Sequence, residues 1–381
     1  MKINDMNRRE LIKTGLYSSA ALWGGLVIGS GWAAKRRVEL LPADRNGVRL
    51  PPGFSSRIVA ESSISPLGGC EYVWHAAPDG GGCFKDDNGG WIYVSNSELD
   101  DYEGGVGALR FDANGKLIDA YSILRGTSRN CSGGTTPWGT WLSCEEIDNG
   151  RVWECDPLGV KAAEVRPALG VFRHEAVAVD ALNRKLYLTE DQADGCLYRF
   201  TPFAYPDLSA GKLEAARVIG GETGKVEWLE IKDPLGRKTA TRLQTPATRF
   251  NEGEGIAYFE NRVYFTTKGD NRVWAFDIIS QSLSILYDES VYIDPVLTGV
   301  DNITVASDGS LYVAEDGGNL QVVIIANDGS IYPIVELEGH EKSEIAGVAF
   351  SPDGSRLYFS SQRGISGDSP GGLTFEIRGP F

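Results

Sequence analysis

The chain has 381 residues, of which 42% are hydrophobic, and it carries a formal net charge of −15 at pH 7. This length suffices for one large domain or two ordinary ones, so length alone does not decide the domain organisation. The acidic excess, with no basic stripe in the sequence, excludes nucleic-acid binding as the main function and suits either cation binding or solubility alone.

Residues 1–34 have the order of a cleavable export signal. The adjacent Arg8 and Arg9 stand before apolar positions, and Leu16–Trp32 contains no charged residue. This is the twin-arginine pattern, and Gly31–Ala33 provides a small-x-small cleavage site. We therefore expect the twin-arginine export machinery to be a partner and the mature protein to be periplasmic or extracellular. An uncleaved signal would instead leave the protein tethered to the membrane.

Six cysteines in an exported chain would allow up to three disulfides, and their spacing fits no zinc-binding pattern. Cys70–Cys83 is the candidate bridge, and the alternative for each cysteine is a small buried hydrophobe. The six are Cys70, Cys83, Cys131, Cys144, Cys155 and Cys196.

An internal repeat is the most informative pattern in the chain. Six short segments are predicted as strands, each with an aromatic residue near its centre, and these residues are 48, 46, 77, 48 and 46 positions apart. Hairpin-connected strands with a period of about 47 are typical of four-stranded propeller blades. We therefore predict an all-β, six-bladed β-propeller, with five or seven blades as the open alternatives. The aromatic residues are Tyr93, Trp141, Tyr187, Tyr264, Tyr312 and Tyr358.

The predicted propeller is a single domain over residues 35–381. The long step of 77 places an insertion between the third and fourth blades, near residues 205–245. No segment of the mature chain has a helical period. Because propellers are commonly closed by a terminal strand, we expect residues 49–60 to complete the blade that contains residues 373–377.

The first strand of each propeller blade lines the central channel, so the residues that begin these strands converge on one mouth. Counting back from the aromatic residues places metal-capable side chains there, with Glu344 near the same register. Further carboxylates and two basic residues, Lys268 and Arg363, recur just beyond the second strands. The candidate metal ligands are Cys131, Glu146, Glu175, Glu190, Glu254, Asp301 and Glu315.

Many carboxylates at one mouth would repel each other unless cations neutralised them. Hard oxygen ligands of this kind select calcium, magnesium, manganese or ferric iron. The sequence therefore predicts a metal cluster at the channel mouth. The alternative is that half of these carboxylates cap turns or face water.

Residues 130–146, NCSGGTTPWGTWLSCEE, form a long motif, and 173–176, 299–302 and 344–354 continue the pattern. Together these segments resemble the PhoX-type alkaline phosphatases, a family of six-bladed propellers that use iron and calcium at the channel mouth. The resemblance extends over roughly Asn130 to Arg363, which is most of the mature chain.

The resemblance implies an enzyme that hydrolyses a small phosphorylated substrate with an iron and calcium cluster. It implies that Cys131 supplies a thiolate to iron, while Glu146, Glu175 and Glu254 bridge iron and calcium. In such a site the metals act as Lewis acids, and a basic side chain neutralises the phosphoryl oxygens.

Two features depart from the family pattern. The chain is shorter than members that carry long insertions between blades. The phosphatases also carry an arginine two residues before the ligating glutamate, where this chain has Glu252. Arg363, Lys268 or Arg249 could supply the missing cation, and the repeat register favours Arg363 as a catalytic residue, with Lys268 as the second choice.

Two other functions are open from the sequence. A calcium-dependent lactonase-like hydrolase would need an acid or a histidine beside one central calcium, and His174 is the most suitable histidine. A non-catalytic metal-binding propeller is favoured by Glu252. A serine-nucleophile mechanism is disfavoured, because the chain has three histidines and no Gly-x-Ser-x-Gly motif.

Overall fold

The computed structural model describes residues 38–381, and every regular element longer than one turn in this range is a β-strand. None of its helices is long and apolar enough to cross a membrane. The export signal predicted over residues 1–34 lies outside the described residues and stays a prediction. The short 3-10 turns are Pro167–Leu169, Thr241–Gln244, Lys268–Asp270, Glu289–Val291 and Ser369–Gly371.

The strands form six antiparallel blades, numbered here in chain order. β1 (Val48–Arg49) and β2 (Ser55–Glu61) precede the first blade. Blade 1 contains β3 (Pro78–Lys85), β4 (Trp91–Ser97), β5 (Gly104–Phe111) and β6 (Leu117–Thr127). Blade 2 contains β7 (Asn130–Thr135), β8 (Trp141–Glu145), β9 (Val152–Cys155) and β10 (Glu164–Val165).

The remaining blades follow the same order. Blade 3 contains β11 (His174–Asp180), β12 (Lys185–Glu190), β13 (Tyr198–Ala204) and β14 (Asp207–Ile219), and it is followed by β15 (Gly224–Glu230). Blade 4 contains β16 (Gly253–Phe259), β17 (Arg262–Thr267), β18 (Arg272–Asp277) and β19 (Ser282–Asp288). Blade 5 contains β20 (Val300–Val305), β21 (Leu311–Glu315), β22 (Gln321–Ile325) and β23 (Ile331–Leu337). Blade 6 contains β24 (Ile345–Phe350), β25 (Arg356–Ser361) and β26 (Leu373–Arg378).

The repeat predicted from the aromatic residues is confirmed. All six lie in the second strand of successive blades, in β4, β8, β12, β17, β21 and β25, and all six are buried. The core is divided in the same way, because each of six apolar clusters packs between two neighbouring blades. The blades therefore stabilise one another around the ring rather than around one central core.

The ring is closed by a strand from the beginning of the chain. β2 pairs antiparallel with β26, from Ser55 opposite Arg378 to Glu61 opposite Leu373, and so completes blade 6. The short β1 pairs with β23 at the outer edge of blade 5. These pairings agree with the expected closure of the blade that contains residues 373–377.

The segment between blades 3 and 4 contains one strand of blade 3 and one additional strand. Its first part, β14, is the outer strand of blade 3 and not an addition to it. Its later part, β15, pairs with β14 and, through Gly224 opposite Leu283, with β19. The additional structure near residues 205–245 is thus β15 and the loop after it, which join the outer edges of two blades into one nine-stranded sheet.

Glycines let the innermost strands approach each other around the channel. A Cβ atom on Gly134 would lie 1.9 Å from the backbone oxygen of Val177 in the next blade, and one on Gly347 would lie 2.6 Å from that of Asp79. Gly347 also has φ +72, which favours glycine. The channel that these strands enclose holds a cavity of about 400 Å³.

All six cysteines are unpaired, so the expected Cys70–Cys83 bridge is wrong. Cys70 Sγ lies 3.1 Å from the carbonyl oxygen of Ala120, on the outer strand β6, whereas Cys83 lies on the innermost strand β3 of the same blade. Three strand spacings separate these strands, roughly 14 Å. A disulfide requires Cα atoms within about 7 Å.

Candidate metal centre

Each blade provides one potential ligand where its innermost strand begins. In five blades this is the second residue of the strand, and in blade 6 it lies directly before β24. A β-bulge follows in all six blades, since the pairing with the second strand shifts register within the next five residues. A bulge bends the strand and re-aims its side chains. The six residues are Asp79, Cys131, Glu175, Glu254, Asp301 and Glu344.

These side chains belong to three groups whose ligand atoms lie within 4.8 Å of one another. Cys131 connects the groups, because its Sγ lies 3.3 Å from Glu175 Oε1 and 3.7 Å from Asp79 Oδ2. Glu98 belongs to two groups, so these are adjacent. The groups are Glu98, Cys131 and Glu146; Asp79, Glu98 and Glu344; and Glu175, Glu254 and Asp301.

A second ring of side chains comes from the residues directly after the second strands. In five blades the backbone N–H of the residue after the second strand donates a hydrogen bond to a backbone carbonyl at the start of the innermost strand. The residue with this carbonyl lies two positions before the potential ligand of the same blade. These hydrogen bonds connect the second ring of side chains to the ring of potential ligands. The pairs are Glu98 to Ala77 (3.0 Å), Glu146 to Arg129 (2.8 Å), Asp191 to Arg173 (3.2 Å), Lys268 to Glu252 (2.8 Å) and Asp316 to Gly299 (2.8 Å).

Two residues expected in the ligand set, Glu190 and Glu315, lie outside these groups. Each is the last residue of a second strand, one position before the mouth-facing residue, and side chains alternate across a strand. Glu190 accepts hydrogen bonds from the N–H of Cys196 and the hydroxyl of Tyr198. Glu315 accepts from the N–H groups of Thr298 and Gln321. Both carboxylates therefore stabilise neighbouring loops by hydrogen bonds.

The neighbours of these residues face the mouth instead. Asp191 and Asp316 follow Glu190 and Glu315, and their charges act on Asp301 in the ligand groups. In blades 3 and 5 the carboxylates that face the mouth are therefore Asp191 and Asp316, the residues that follow the expected Glu190 and Glu315.

Four basic side chains lie among the carboxylates. Arg129 Nη2 lies 2.5 Å from both Glu98 Oε1 and Glu146 Oε2. The other three contacts are Arg173 Nη1 to Glu146 Oε1 at 3.6 Å, Lys268 Nζ to Glu254 Oε1 at 2.9 Å, and Arg363 Nη1 to Glu344 Oε2 at 3.1 Å. The expected Lys268 and Arg363 are thus at the mouth, together with two arginines that the sequence interpretation missed.

Carboxylates outnumber basic side chains at this mouth. The two rings bring nine carboxylates together in the described chain, against the four basic side chains. Burial, followed by the charge of Glu254, raises the pKa of Glu175 well above its usual value. Burial likewise raises the pKa of Asp301 to about 7 and that of Asp191 to about 6. Additional cations would relieve this repulsion.

The donor atoms fit the metals that the family implies. Cys131 and Glu175 combine a soft sulfur with a hard oxygen, a combination suited to iron, while the all-carboxylate groups suit calcium. Glu175 is 1% exposed, and its Oε2 has no hydrogen-bond donor in the described structure. A buried carboxylate oxygen without a donor is costly, and a bound cation would satisfy it.

Threonines of the preceding blade hold two of the ligand backbones in place. Thr189 Oγ1 donates to the carbonyl oxygen of Glu254 at 2.5 Å, and Thr266 Oγ1 donates to that of Asp301 at 2.5 Å. Each threonine lies two residues beyond the repeated aromatic residue of its own blade. The inner ring is therefore fixed by bonds between blades before any metal binds, which favours precise ligand geometry.

Glu252 occupies a position that is basic in blades 2 and 3 and that is Ala77 and Gly299 in blades 1 and 5. It lies two residues before Glu254, as Arg129 and Arg173 lie two before their ligands, and its carbonyl accepts the equivalent ring bond. Arg129 and Glu252 both have positive φ, 46° and 58°, so their backbones are alike. The family arginine named above would stand here, and the acid removes one cation from the mouth.

The histidines do not join the ligand groups in the described chain. His174 is buried and stacks on Phe172 with ring centres 3.7 Å apart, and its Nε2 lies 3.0 Å from the carbonyl of Gly170. Burial lowers the pKa of His174 to about 3, so it is neutral. The histidine required by the lactonase interpretation is thus part of the core.

Comparison with known proteins places these features in a family. The family model for alkaline phosphatase PhoX matches residues 108–157, 148–284 and 287–364, about two thirds of the chain. No curated protein matches the sequence. PhoX from Pseudomonas fluorescens, solved with the transition-state analogue vanadate, superposes with a TM-score of 0.73 at 17% identity, over 90% of this chain and 98% of that one.

A second solved structure has the same fold at lower similarity. It is a Bacteroides thetaiotaomicron protein, with a TM-score of 0.53 at 10% identity over 85% of this chain and 76% of that one. At these identities the superpositions establish the propeller fold alone, and the sequence match establishes the family.

Proposed function

We propose, because this chain belongs to the PhoX family of alkaline phosphatases, that its phosphoric ester hydrolase chemistry depends on iron and calcium held at the propeller mouth. The observation that carries the proposal is the convergence of Cys131 with carboxylates from all the other blades. A thiolate is not needed to bind calcium, whereas it suits iron. The substrate would be a small phosphorylated molecule able to reach the mouth.

The residues present divide into two roles. Cys131, Glu146, Glu175, Glu254 and Asp301 would hold the metals. They would be joined by Glu344, which the repeat register had placed nearby, and by Asp79 and Glu98, which the sequence interpretation missed. Bound metals would supply Lewis-acid charge and an activated oxygen nucleophile for attack on phosphorus.

The basic side chains have a different task. During hydrolysis a bond forms between phosphorus and the attacking oxygen while the bond to the ester oxygen breaks, and the alcohol leaves with a proton. Negative charge spreads over the other phosphoryl oxygens. Lys268 and Arg363 are about one third exposed, at 32% and 35%, while their carboxylate partners are largely buried. They are therefore placed to contact a phosphoryl group from the open side.

Metal removal tests the proposal directly. The purified full chain should contain iron and calcium by elemental analysis and should hydrolyse an aryl phosphate monoester. Chelation should lower the rate by more than about 100-fold, because the nucleophile and the neutralising charge depend on the metals. Adding back both metals should restore the rate.

The alternatives give different results in the same assay. Calcium without iron, with hydrolysis of lactones in place of phosphate esters, would support the lactonase-like function. A metal-loaded protein that hydrolyses neither would support a non-catalytic binding propeller, for which Glu252 is the favouring feature.

We also propose that the protein is exported by the twin-arginine route. Replacing Arg8 and Arg9 together with lysine should retain the full-length chain in the cytoplasm, because the route recognises the arginine pair. Cell fractionation with an antibody to the folded domain would measure this. Unchanged export of the Lys-Lys variant would contradict the proposal, and the Lys2→Arg variant is the matched control.

Glu252→Arg should raise turnover of an aryl phosphate, since it restores a cation at the register position of Arg129 and Arg173. Arg363→Ala should lower turnover, because a missing transition-state donor typically costs about 100- to 1,000-fold. Steady-state kinetics on metal-loaded variants would measure both effects. If neither variant alters the rate, the phosphate does not bind between these two side chains.

A further inference from the structure

A pocket beside the mouth is lined by none of the residues of the three ligand groups. It has a volume of about 280 Å³ and lies at the mouth end of blade 1, against the segment that leads into β3. We propose that this pocket binds the aromatic alcohol portion of the phosphate ester, an inference that rests on the proposed function. The side chains that carry the proposal are Tyr72, Val73, Tyr102 and Arg125.

Neighbouring residues of one segment belong to the pocket and to the candidate metal centre. Ser97 lines the pocket, and the next residue, Glu98, belongs to two ligand groups. The N–H of Tyr102 donates to Ser128 Oγ at 2.9 Å, and the N–H of Arg129 donates to the carbonyl of Leu99 at 2.7 Å. These two hydrogen bonds hold the loop that carries Tyr102 against the segment between β6 and β7 that carries Arg129. Arg129 in turn contacts the ligand carboxylates. An ester whose phosphate lies at the mouth could extend its alcohol portion into this pocket.

The lining is suited to a planar ring. Tyr102 is 71% exposed at a backbone φ of 63°, an uncommon conformation for a large side chain. Across the pocket, the Arg125 guanidinium lies 6.0 Å from the centre of the Tyr72 ring. Arg125 is exposed and forms no ion pair with a carboxylate in the described structure. An exposed tyrosine and a guanidinium stacked on a second ring are surfaces on which aromatic ligands stack.

A glycine of β5 lets two rings of the pocket lining pack against the sheet. A Cβ atom on Gly107 would lie 2.4 Å from the Tyr72 hydroxyl and 2.6 Å from His75 Nδ1, so only glycine lets these rings lie against the sheet. Burial lowers the pKa of His75 to about 3, so the ring is neutral and adds no charge to the floor. The lining contains one acid, Glu103, and one base, Arg125, beside its aromatic rings, so it offers no excess of positive charge for a second phosphate.

Kinetics with two substrates test the proposal. Tyr102→Ala removes one wall, and Val73→Trp fills the space from a position that is 49% exposed, so neither should prevent folding. For phenyl phosphate both variants should raise KM about 3- to 10-fold with unchanged kcat. For methyl phosphate neither should change KM. A nucleoside 5′-monophosphate as third substrate distinguishes an aryl ring from a nucleobase.

Phe203→Ala is the matched control, because Phe203 is a 78% exposed aromatic residue near the far end of β13. It should leave all three KM values unchanged. Equal effects of Tyr102→Ala on phenyl and methyl phosphate, or no effect on either, would overturn the proposal.

Binding of non-hydrolysable phosphonates separates this inference from the proposed function. The metal-loaded chain should bind benzylphosphonate more tightly than methylphosphonate by calorimetry, and Tyr102→Ala should abolish the difference. If the protein has no phosphatase activity but keeps this Tyr102-dependent preference, the pocket assignment stands and the proposed function fails. If it is a phosphatase without the preference, the pocket assignment fails alone.

Discussion

Cys131→Ser should lose bound iron and more than about 100-fold of the phosphatase rate. Even partners outside the first coordination shell of a metal typically change affinity or activity about 10- to 100-fold, and Cys131 is the one sulfur in the ligand groups of the described chain. Burial, followed by the charges of Asp79 and Glu175, raises the pKa of the Cys131 thiol well above its usual value. A bound cation would be required to hold it as a thiolate. A serine hydroxyl, which ionises far less readily, cannot replace it.

Elemental analysis and the thiolate-to-iron absorption band would measure this loss independently of activity. Cys70→Ser is the matched control, because the Cys70 thiol donates to the Ala120 carbonyl, a contact that a hydroxyl can reproduce. Retention of iron and of the absorption band in Cys131→Ser would show that the sulfur is not a ligand. In that case the iron assignment, and not only the role of one residue, would have to be withdrawn.

The sequence was sufficient for the architecture because each blade repeats the same hairpins. An aromatic residue buried in the second strand of each blade leaves a period that survives divergence, as Tyr187 and Tyr312 illustrate. The nine-stranded sheet was not predictable in the same way. The strand β15 forms a local hairpin with β14, but the joining of two blades depends on its pairing with Leu283 of β19, which follows it by more than fifty residues.

The ligand set was predicted only in part, for reasons of register. Asp79 lies 14 residues before Tyr93, as Glu344 does before Tyr358, whereas the potential ligands of the other four blades lie 10 to 12 residues before their aromatic residue, so counting back by the shorter distance missed Asp79. Glu98 follows Tyr93 by five residues, as Glu146 follows Trp141, and that match could have identified it. Glu190 and Glu315 lie outside the ligand groups because a single residue decides which side of a strand end faces the mouth.

Arg129 is the missed residue with the largest expected effect. Its guanidinium bridges Glu98 and Glu146, whose side chains are only 9% and 5% exposed. Burial, partly offset by the charge of Arg129, raises the pKa of Glu146. Without the arginine both carboxylates would be held close together with no cation between them.

Arg129→Ala should therefore destabilise the metal-free protein by about 2 to 3 kcal/mol, below the usual cost of breaking a buried pair because Arg129 itself is partly exposed. For a chain of this size that is a fall in Tm of roughly 3 to 4 °C. The effect should shrink when metals are bound, since they neutralise the same carboxylates. Arg129→Lys should recover only part of the loss, because an ammonium group lacks the planar fork of a guanidinium.

Thermal unfolding of chelated and metal-loaded protein would measure both differences, with Arg217→Ala as the matched control. Arg217 is exposed to the same degree as Arg129, at 39% against 37%, but its partner Glu227 is 54% exposed. A surface pair of this kind contributes about 0 to 1 kcal/mol whether or not metal is present. An equal and metal-independent loss in the two variants would mean that Arg129 is an ordinary surface partner. A loss confined to chelated Arg129→Ala would identify the arginine as the cation that neutralises the ligand carboxylates before the metals bind.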